Sequence, residues 1–211
     1  MKVVAFNGSP KKDGNTYHGI KMVAEELEKE GIEVEIVHVG NKNVRGCVGC
    51  AMCKSNKDER CVIRGDEVNE WIQKMKNADG IILASPVYYS AVAGTMKAFL
   101  DRATYVSGAN GGLFRHKVGA SVIAVRRSGG IPAFNELNHY INYSEMIIPT
   151  SNYWNVIYGT APGEALKDEE GTQIMRVLGK NMAWIMKVID FSKDKIEKPE
   201  AEEKVYMNFI R

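Results

Sequence analysis

Lys2-Val3-Val4-Ala5-Phe6-Asn7-Gly8-Ser9-Pro10-Lys11-Lys12-Asp13-Gly14-Asn15-Thr16 passes from an apolar run through a polar, glycine-bearing turn into a helical pattern. Lys2–Phe6 is short and apolar, as a strand covered on both faces must be. Past the polar loop Lys11–Gly14, the residues Ile20, Val23, Ala24 and Leu27 recur at helical spacing as far as Lys29, and Gly31 stops the helix. Asn15 and Thr16 stand where helix caps belong. A buried strand that turns tightly into a helix N-terminus is the first half of a parallel βαβ unit, and this unit sets the fold.

The rest of the chain repeats that rhythm. Ile32–Val39 alternates apolar and charged residues, with Ile32, Val34 and Ile36 inward, as an outer strand does. Asp66 caps a predicted helix that runs to Lys76 with Val68, Trp71, Ile72 and Met75 on one face. Gly80–Ser85 is a third strand, followed by the loop Pro86–Ala93 and a helix from Gly94 to Tyr105. Ala120–Val125 is a fourth strand with the exit loop Arg126–Pro132, then come a helix Ala133–Tyr143, a fifth strand around Met146–Pro149 and a helix Asp168–Ile189. The expected fold is α/β, a doubly wound five-stranded parallel sheet with helices on both faces, over residues 1–192. The charge-mixed tail 193–211 ends in the apolar stretch Val205–Ile210, which calls for burial, for example in an oligomer contact. Parallel sheets with right-handed crossovers collect ligands outside the carboxyl ends of their strands, so the loops after the first four strands are the functional candidates.

Composition narrows the function classes. A hydrophobic fraction of 45% against 26% charged residues is ordinary globular usage and argues against disorder, collagen and coiled coil. Lys plus Arg at 28 and Asp plus Glu at 26 leave +2, too little to make nucleic acid the expected partner. The longest apolar runs, such as Gly80–Ala84 and Ala120–Val125, fall far short of the ~20 residues that span a bilayer, so no membrane partner is expected. The chain opens directly into strand-like sequence with no leader pattern, which points to a cytoplasmic protein. No Ser/His/Asp order and no paired carboxylates suggest hydrolysis. His18, His38, His116 and His139 are isolated and suit structural or surface roles, while Trp71 and Trp184 fall on apolar helical faces and are expected in the core. Tyr153-Trp154, in the loop after the fifth strand, is a candidate pocket lining.

Two loops carry ligand chemistry. The unsatisfied N–H groups and partial positive charge of a helix N-terminus can dock a phosphate. Ser9, Asn15 and Thr16 add side-chain donors there, and Gly8 and Gly14 let the backbone approach closely. The pattern is neither the dinucleotide glycine fingerprint nor the triphosphate loop, and donors with modest basic help suit one terminal phosphate; an ordinary polar loop with helix caps is the plainer alternative. At the other side of the same crevice, Ser85-Pro86-Val87-Tyr88-Tyr89-Ser90-Ala91 combines a fixed proline, two aromatic faces and small residues that expose backbone groups to a flat ring. Together they describe a ligand with a phosphate at one end and a planar heteroaromatic ring at the other.

Phe6-Asn7-Gly8-Ser9-Pro10-Lys11, Gly14-Asn15-Thr16, Ser85-Pro86-Val87-Tyr88-Tyr89 and Met96-Lys97-Ala98-Phe99-Leu100-Asp101-Arg102 resemble, in order and spacing, the signatures of the NADPH-dependent FMN reductase family, flavodoxin-like in fold. The resemblance implies FMN, with the phosphate at Ser9, Lys11, Asn15 and Thr16 and the isoalloxazine ring against Pro86, Val87, Tyr88, Tyr89, Ser90 and Ala91. It also brings the loop after the fourth strand, Arg126-Arg127-Ser128-Gly129-Gly130, near the ring, where a cation or N–H donor would stabilise the anionic reduced flavin. The implied activity is an oxidoreductase that takes electrons from NAD(P)H or a ferredoxin-like donor and passes them to a flavin, quinone, oxygen species or protein acceptor. The flavin carries the chemistry, no side chain acts as acid or base, and family members are homodimers or homotetramers. A flavodoxin-like electron carrier is the alternative, disfavoured by the near-neutral charge; a thiol-based redox sensor is a second.

All four cysteines lie in the loop 44–65, as Cys47-x2-Cys50-x2-Cys53-x7-Cys61. Outside a secreted chain such clustering points to metal or redox chemistry before disulfides. Soft thiolates suit an iron–sulfur cluster or zinc, and three cysteines at intervals of three can wrap one face of a cubane, with Cys61 at the fourth corner. The loop resembles that of the iron–sulfur flavoprotein branch of the family, which implies a [4Fe–4S] cluster; partly buried thiols at a subunit contact and a zinc site stay open beside it. Lys54–Arg60 is hydrophilic and is expected to fold outward.

Overall fold

The computed structural model describes residues 1–207 and 209. Strands β1 (Lys2–Asn7), β2 (Glu33–His38), β3 (Gly80–Tyr88), β5 (Val118–Val125) and β6 (Val156–Tyr158) pair in parallel in the order β2-β1-β3-β5-β6, and the two-residue β4 (Ala91–Val92) pairs antiparallel with the end of β3. The strand order reverses at β1, so the crevice between the carboxyl ends of β1 and β3 is the topological switch point where ligands settle.

The period-2 alternation of side chains decides which helices cover which face. Val4 and Phe6 of β1, Ile81 and Leu83 of β3, and Ile123 and Val125 of β5 point to one core. It is closed by α3 (Val68–Asn77), α4 (Gly94–Ala109) and α5 (Gly130–Tyr143). Val3 and Ala5 of β1, Ile82 and Ala84 of β3, and Val118, Ala120, Val122 and Ala124 of β5 point to the other, under α1 (Asn15–Lys29) and α6 (Glu169–Ser192). An aromatic node, Phe6 against Phe99 at 4.9 Å between centroids and Trp71 edge-on to Phe99 at 5.1 Å, ties β1 to α4 and α3. No described helix is long and apolar enough to cross a membrane.

Four expectations are corrected by the structure. The fifth sheet strand is Val156–Tyr158, not Met146–Pro149: Ile147 makes one isolated parallel bridge to Val118, and Pro149 has no N–H with which to extend it. The chain rejoins the sheet further on, where the buried Asn155 amide donates to Ser121 O at 3.0 Å. Trp184 is 67% exposed, because the buried stripe of α6 runs through Ile174, Met175, Leu178, Met182 and Met186 on the opposite side. Asn15 and Thr16 do not cap α1; Gly14 is the N-cap and no side chain bonds the first turn. Asp66 accepts from Val68 N–H at 3.3 Å, but Glu67 is the N-cap of α3 and the Asp66 carboxylate is turned to Arg102. The tail beyond Ser192 is irregular and exposed; Val205, Tyr206, Met207 and Phe209 are all uncovered, and Asn208 and Ile210 of the apolar stretch lie outside the described residues.

Candidate functional site

The loop after β1 is built from its own buried polar groups. Asn7, at the carboxyl end of β1, accepts from Ser9 N–H at 3.0 Å through Oδ1 and donates to Lys12 O at 3.1 Å through Nδ2, which curls the chain into a cup. Ser9 Oγ accepts from Lys11 N–H at 3.2 Å, so its own proton is left to donate outward. Register places Asn7 beside His38, whose Nε2 lies 2.8 Å from Ser9 O, and beside Ala84, whose carbonyl accepts from Gly8 N–H at 2.8 Å. Gly40 presses on the same turn: a Cβ there would stand 2.2 Å from the Ser9 carbonyl carbon and oxygen. The uncapped start of α1 then presents N–H groups that no intrahelical acceptor can satisfy. Thr16 Oγ1, 1% exposed as a residue, is buried without any hydrogen-bond partner. The Asn15 side chain faces elsewhere, donating to Ala161 O at 3.0 Å and accepting from Ala165 N–H at 3.2 Å, and so straps the loop before α6 to the start of α1. Lys11 is exposed at the rim.

β3 runs on through Pro86 and Val87 into a hairpin whose tip is Tyr89 and Ser90, both left-handed, at φ 49° and 62°. Two positive φ angles match the right-handed twist of a two-residue hairpin, a conformation that normally selects Asn or Gly. Tyr89 is fully exposed and Tyr88 half so. Ser85 Oγ accepts from Ala93 N–H at 2.9 Å and Glu136 accepts from Val92 N–H at 3.0 Å, which hold the hairpin against α4 and α5. The loop after β5 touches it: Gly129, at φ 87°, packs so closely that a Cβ would meet Ser90 at 2.8 Å. Arg126, Arg127 and Ser128 are exposed. Arg127, Ser128 and Gly129 also wall a cleft of about 430 Å³ together with Tyr153, Trp154 and Tyr158.

The cysteine loop forms a second centre on the α4 side. Cys47 and Cys50 are exposed, Cys53 sits buried on the short helix α2 (Met52–Asn56), and Cys61 is buried against Arg102. All four line one hollow with Arg102 and Tyr105, and all four are free thiols. Burial pushes the Cys53 thiol above its ordinary value. Asn69 holds the last cysteine from both sides, accepting from Cys61 N–H at 2.7 Å and donating to Cys61 O at 2.9 Å. Among the described residues no three His, Cys, Asp or Glu side chains gather closely enough to share a single metal ion. Lys54–Arg60 is exposed except for half-buried Glu59.

The structure thus brings Ser9, Gly14 and Thr16 to one point, Pro86–Ala91 and Gly129 to its neighbour, and the four cysteines to a third. Sequence reasoning missed Asn7, His38, Gly40 and Asn69. Of these only Asn7 stood inside a quoted motif; the others act across strand register or loop closure.

A parallel α/β sheet in flavodoxin order, with polar loops at its switch point and a thiol-lined hollow beside it, defines a protein of flavodoxin-like fold. A family model described as NADPH-dependent FMN reductase matches residues 1–161. An iron-sulfur flavoprotein of Methanocaldococcus jannaschii is 36% identical over 196 residues, covering 90% of this chain and 99% of that one. Among solved structures, RosB with bound 8-demethyl-8-formylriboflavin-5′-phosphate superposes with a TM-score of 0.73 at 16% identity, over 100% of this chain and 94% of that one. A flavodoxin from the domain Archaea gives 0.57 at 15%, over 89% and 99%. The chain belongs to the NADPH-dependent FMN reductase family, on its iron–sulfur flavoprotein branch, and is a flavin-dependent oxidoreductase.

Proposed function

We propose that the protein binds FMN across the β1 and β3 loops, holds a [4Fe–4S] cluster at Cys47, Cys50, Cys53 and Cys61, and moves electrons from NAD(P)H or a ferredoxin-like donor to a flavin, quinone, oxygen species or protein acceptor. The observation that carries the flavin reading is the buried, unpartnered Thr16 hydroxyl at an uncapped helix start. A buried hydroxyl left unpaired costs about 1–3 kcal/mol, and a phosphate oxygen at that point relieves it while meeting the helix N–H groups. Bound FMN supplies hydride acceptance and release of electrons singly or in pairs. The chain's own residues supply position and field. Ser9, Thr16 and the first turn of α1 grip the phosphate, with Lys11 and the Asn15 backbone at its rim and Gly14 allowing close approach. Pro86–Ala91 offers backbone groups and tyrosine faces to the ring, and Arg126 and Arg127 place positive charge where reduction adds electron density.

Four thiols spread around one hollow, rather than drawn to a point, favour a polynuclear group over zinc. The cleft walled by Arg127, Tyr153 and Trp154 gives a small donor or acceptor room beside the ring loop. We further propose a cytoplasmic protein, and a homodimer or homotetramer, the assembly being supported by the uncovered Trp184, Val188 and Phe191 on α6.

Anaerobically purified protein is expected to be yellow-brown, with flavin bands over a broad shoulder that dithionite bleaches, and to oxidise NAD(P)H in steady state. Colourless protein that takes up no FMN overturns the flavin reading. Flavin-loaded protein with no turnover on any acceptor makes it an electron carrier.

A further inference from the structure

Arg102 is the largest fully buried side chain among the described residues, and every one of its N–H groups is spent. Its Nε donates to Cys61 Sγ at 3.3 Å. One terminal nitrogen donates to Arg45 O at 3.1 Å and to the Asp66 carboxylate; the other donates to Ile63 O at 3.2 Å and to Asp66 Oδ1 at 3.1 Å. Arg45 and Ile63 stand at the two ends of the cysteine loop, so a single guanidinium closes the loop and aims a charged donor at one of its thiols. The Asp66 carboxylate is the counter-ion of this guanidinium, and the pair is 0% and 4% exposed. Four of the five hydrogen bonds go to Arg45, Ile63 and Asp66, at or next to the ends of the loop. The fifth is the one that faces the ligand set.

Resting on the cluster reading above, we propose that Arg102 is a positioning residue that raises the reduction potential of the cluster through Cys61. Adding an electron to a thiolate-ligated cluster adds negative charge to its sulfurs, and donors to those sulfurs stabilise the reduced form. Cys61 receives this donation from a permanent cation shielded from water. Asp66, on the far side of the guanidinium, offsets part of that charge and holds the potential below what Arg102 alone would set. Two substitutions therefore act with opposite sign. Arg102→Lys keeps a cation but loses the fork and the Nε donor, and lowers the potential; Asp66→Asn leaves the donor in place, removes the opposing charge, and raises it.

The experiment is a mediator titration with dithionite, followed by electron paramagnetic resonance, on anaerobically purified wild type and both variants, with iron and sulfide counted in each. A lower midpoint for Arg102→Lys and a higher one for Asp66→Asn are expected at wild-type iron content. If Arg102→Lys does not fold, the sign of the Asp66→Asn shift decides. Unchanged midpoints, shifts of the same sign, or loss of the cluster in both variants overturn the tuning role while leaving the cluster reading intact. Wild type without iron and sulfide overturns the cluster reading itself, and this proposal with it.

Discussion

Thr16 combines full burial with an unmatched hydroxyl, and it is the one described side chain in that position. Thr16→Val keeps the shape and removes the polar atom. FMN affinity is then expected to fall about tenfold, the worth of roughly one hydrogen bond to a charged acceptor, while the flavin-free protein melts at the same temperature or slightly higher. Fluorescence titration with FMN and a thermal melt of the stripped protein measure the two effects; equal affinity would detach Thr16 from the phosphate. Thr16 and Ser9 were legible in the sequence because hydroxyls at a strand-to-helix turn have a local reason to be there. His38 and Gly40 were not, since their contact with Ser9 arises from the pairing of β1 with β2 and leaves no local trace.

Among the elements, the β3–β4 hairpin trades stability for its shape. Tyr89 holds a left-handed φ of 49° with its side chain in solvent, so no packing repays the strain. Tyr89→Gly is expected to raise stability by about 0.5–1 kcal/mol and at the same time to weaken FMN binding by removing an aromatic face. Denaturant midpoints of the flavin-free protein and FMN titrations separate the two. A second element-level effect lies between α4 and α5, where Tyr140 OH donates to Asp101 at 2.5 Å and accepts from Lys97 at 3.1 Å. Burial, then the bond to Asp101, pushes the Tyr140 phenol up to about 12 from an ordinary 10.0. The folded state binds the proton more tightly, so this contribution is complete below pH 10 and is lost as pH rises toward 12. Tyr140→Phe is expected to flatten the alkaline fall in stability over that window, read from denaturation midpoints at stepped pH. The helices α1, α3, α4, α5 and α6 and the parallel strands β1, β2, β3 and β5 were legible from periodicity and breakers, whereas α2 and β4 lie inside stretches read as loops. β6 was not legible either: Val156–Tyr158 is only three residues long, too short for an alternation to show, and it takes the ladder beside the end of β5 where Met146–Pro149 was expected.

For the whole molecule, the core ends at Met186, and nothing described beyond it is a buried hydrophobic. The described tail is held by Arg115 donating to Pro199 O and Glu200 O, by Lys204 donating to the Tyr143 hydroxyl at 3.1 Å, and by Lys195 and Lys204 lying over the Phe191 and Tyr143 rings. Ending the chain at Ser192 is expected to leave the unfolding free energy within about 1 kcal/mol and FMN binding unchanged, and, on the proposal that the uncovered Val205, Tyr206 and Met207 pack against a second copy, to give a smaller assembly by size exclusion. An unchanged mass would take the tail out of the assembly. Sequence spacing alone made the four cysteines a candidate centre; their shared hollow, and the arginine behind it, emerged only when α4 was laid against the loop.

That helix has a mechanical consequence. α4 starts at the hairpin and carries Arg102 about 12 Å further along its axis, at 1.5 Å per residue. One stiff rod therefore bears the rim of one centre at its head and the bolt of the other at mid-length. Both points ride on the same strut, so the spacing between the hairpin and the thiol-lined hollow is fixed by one helix.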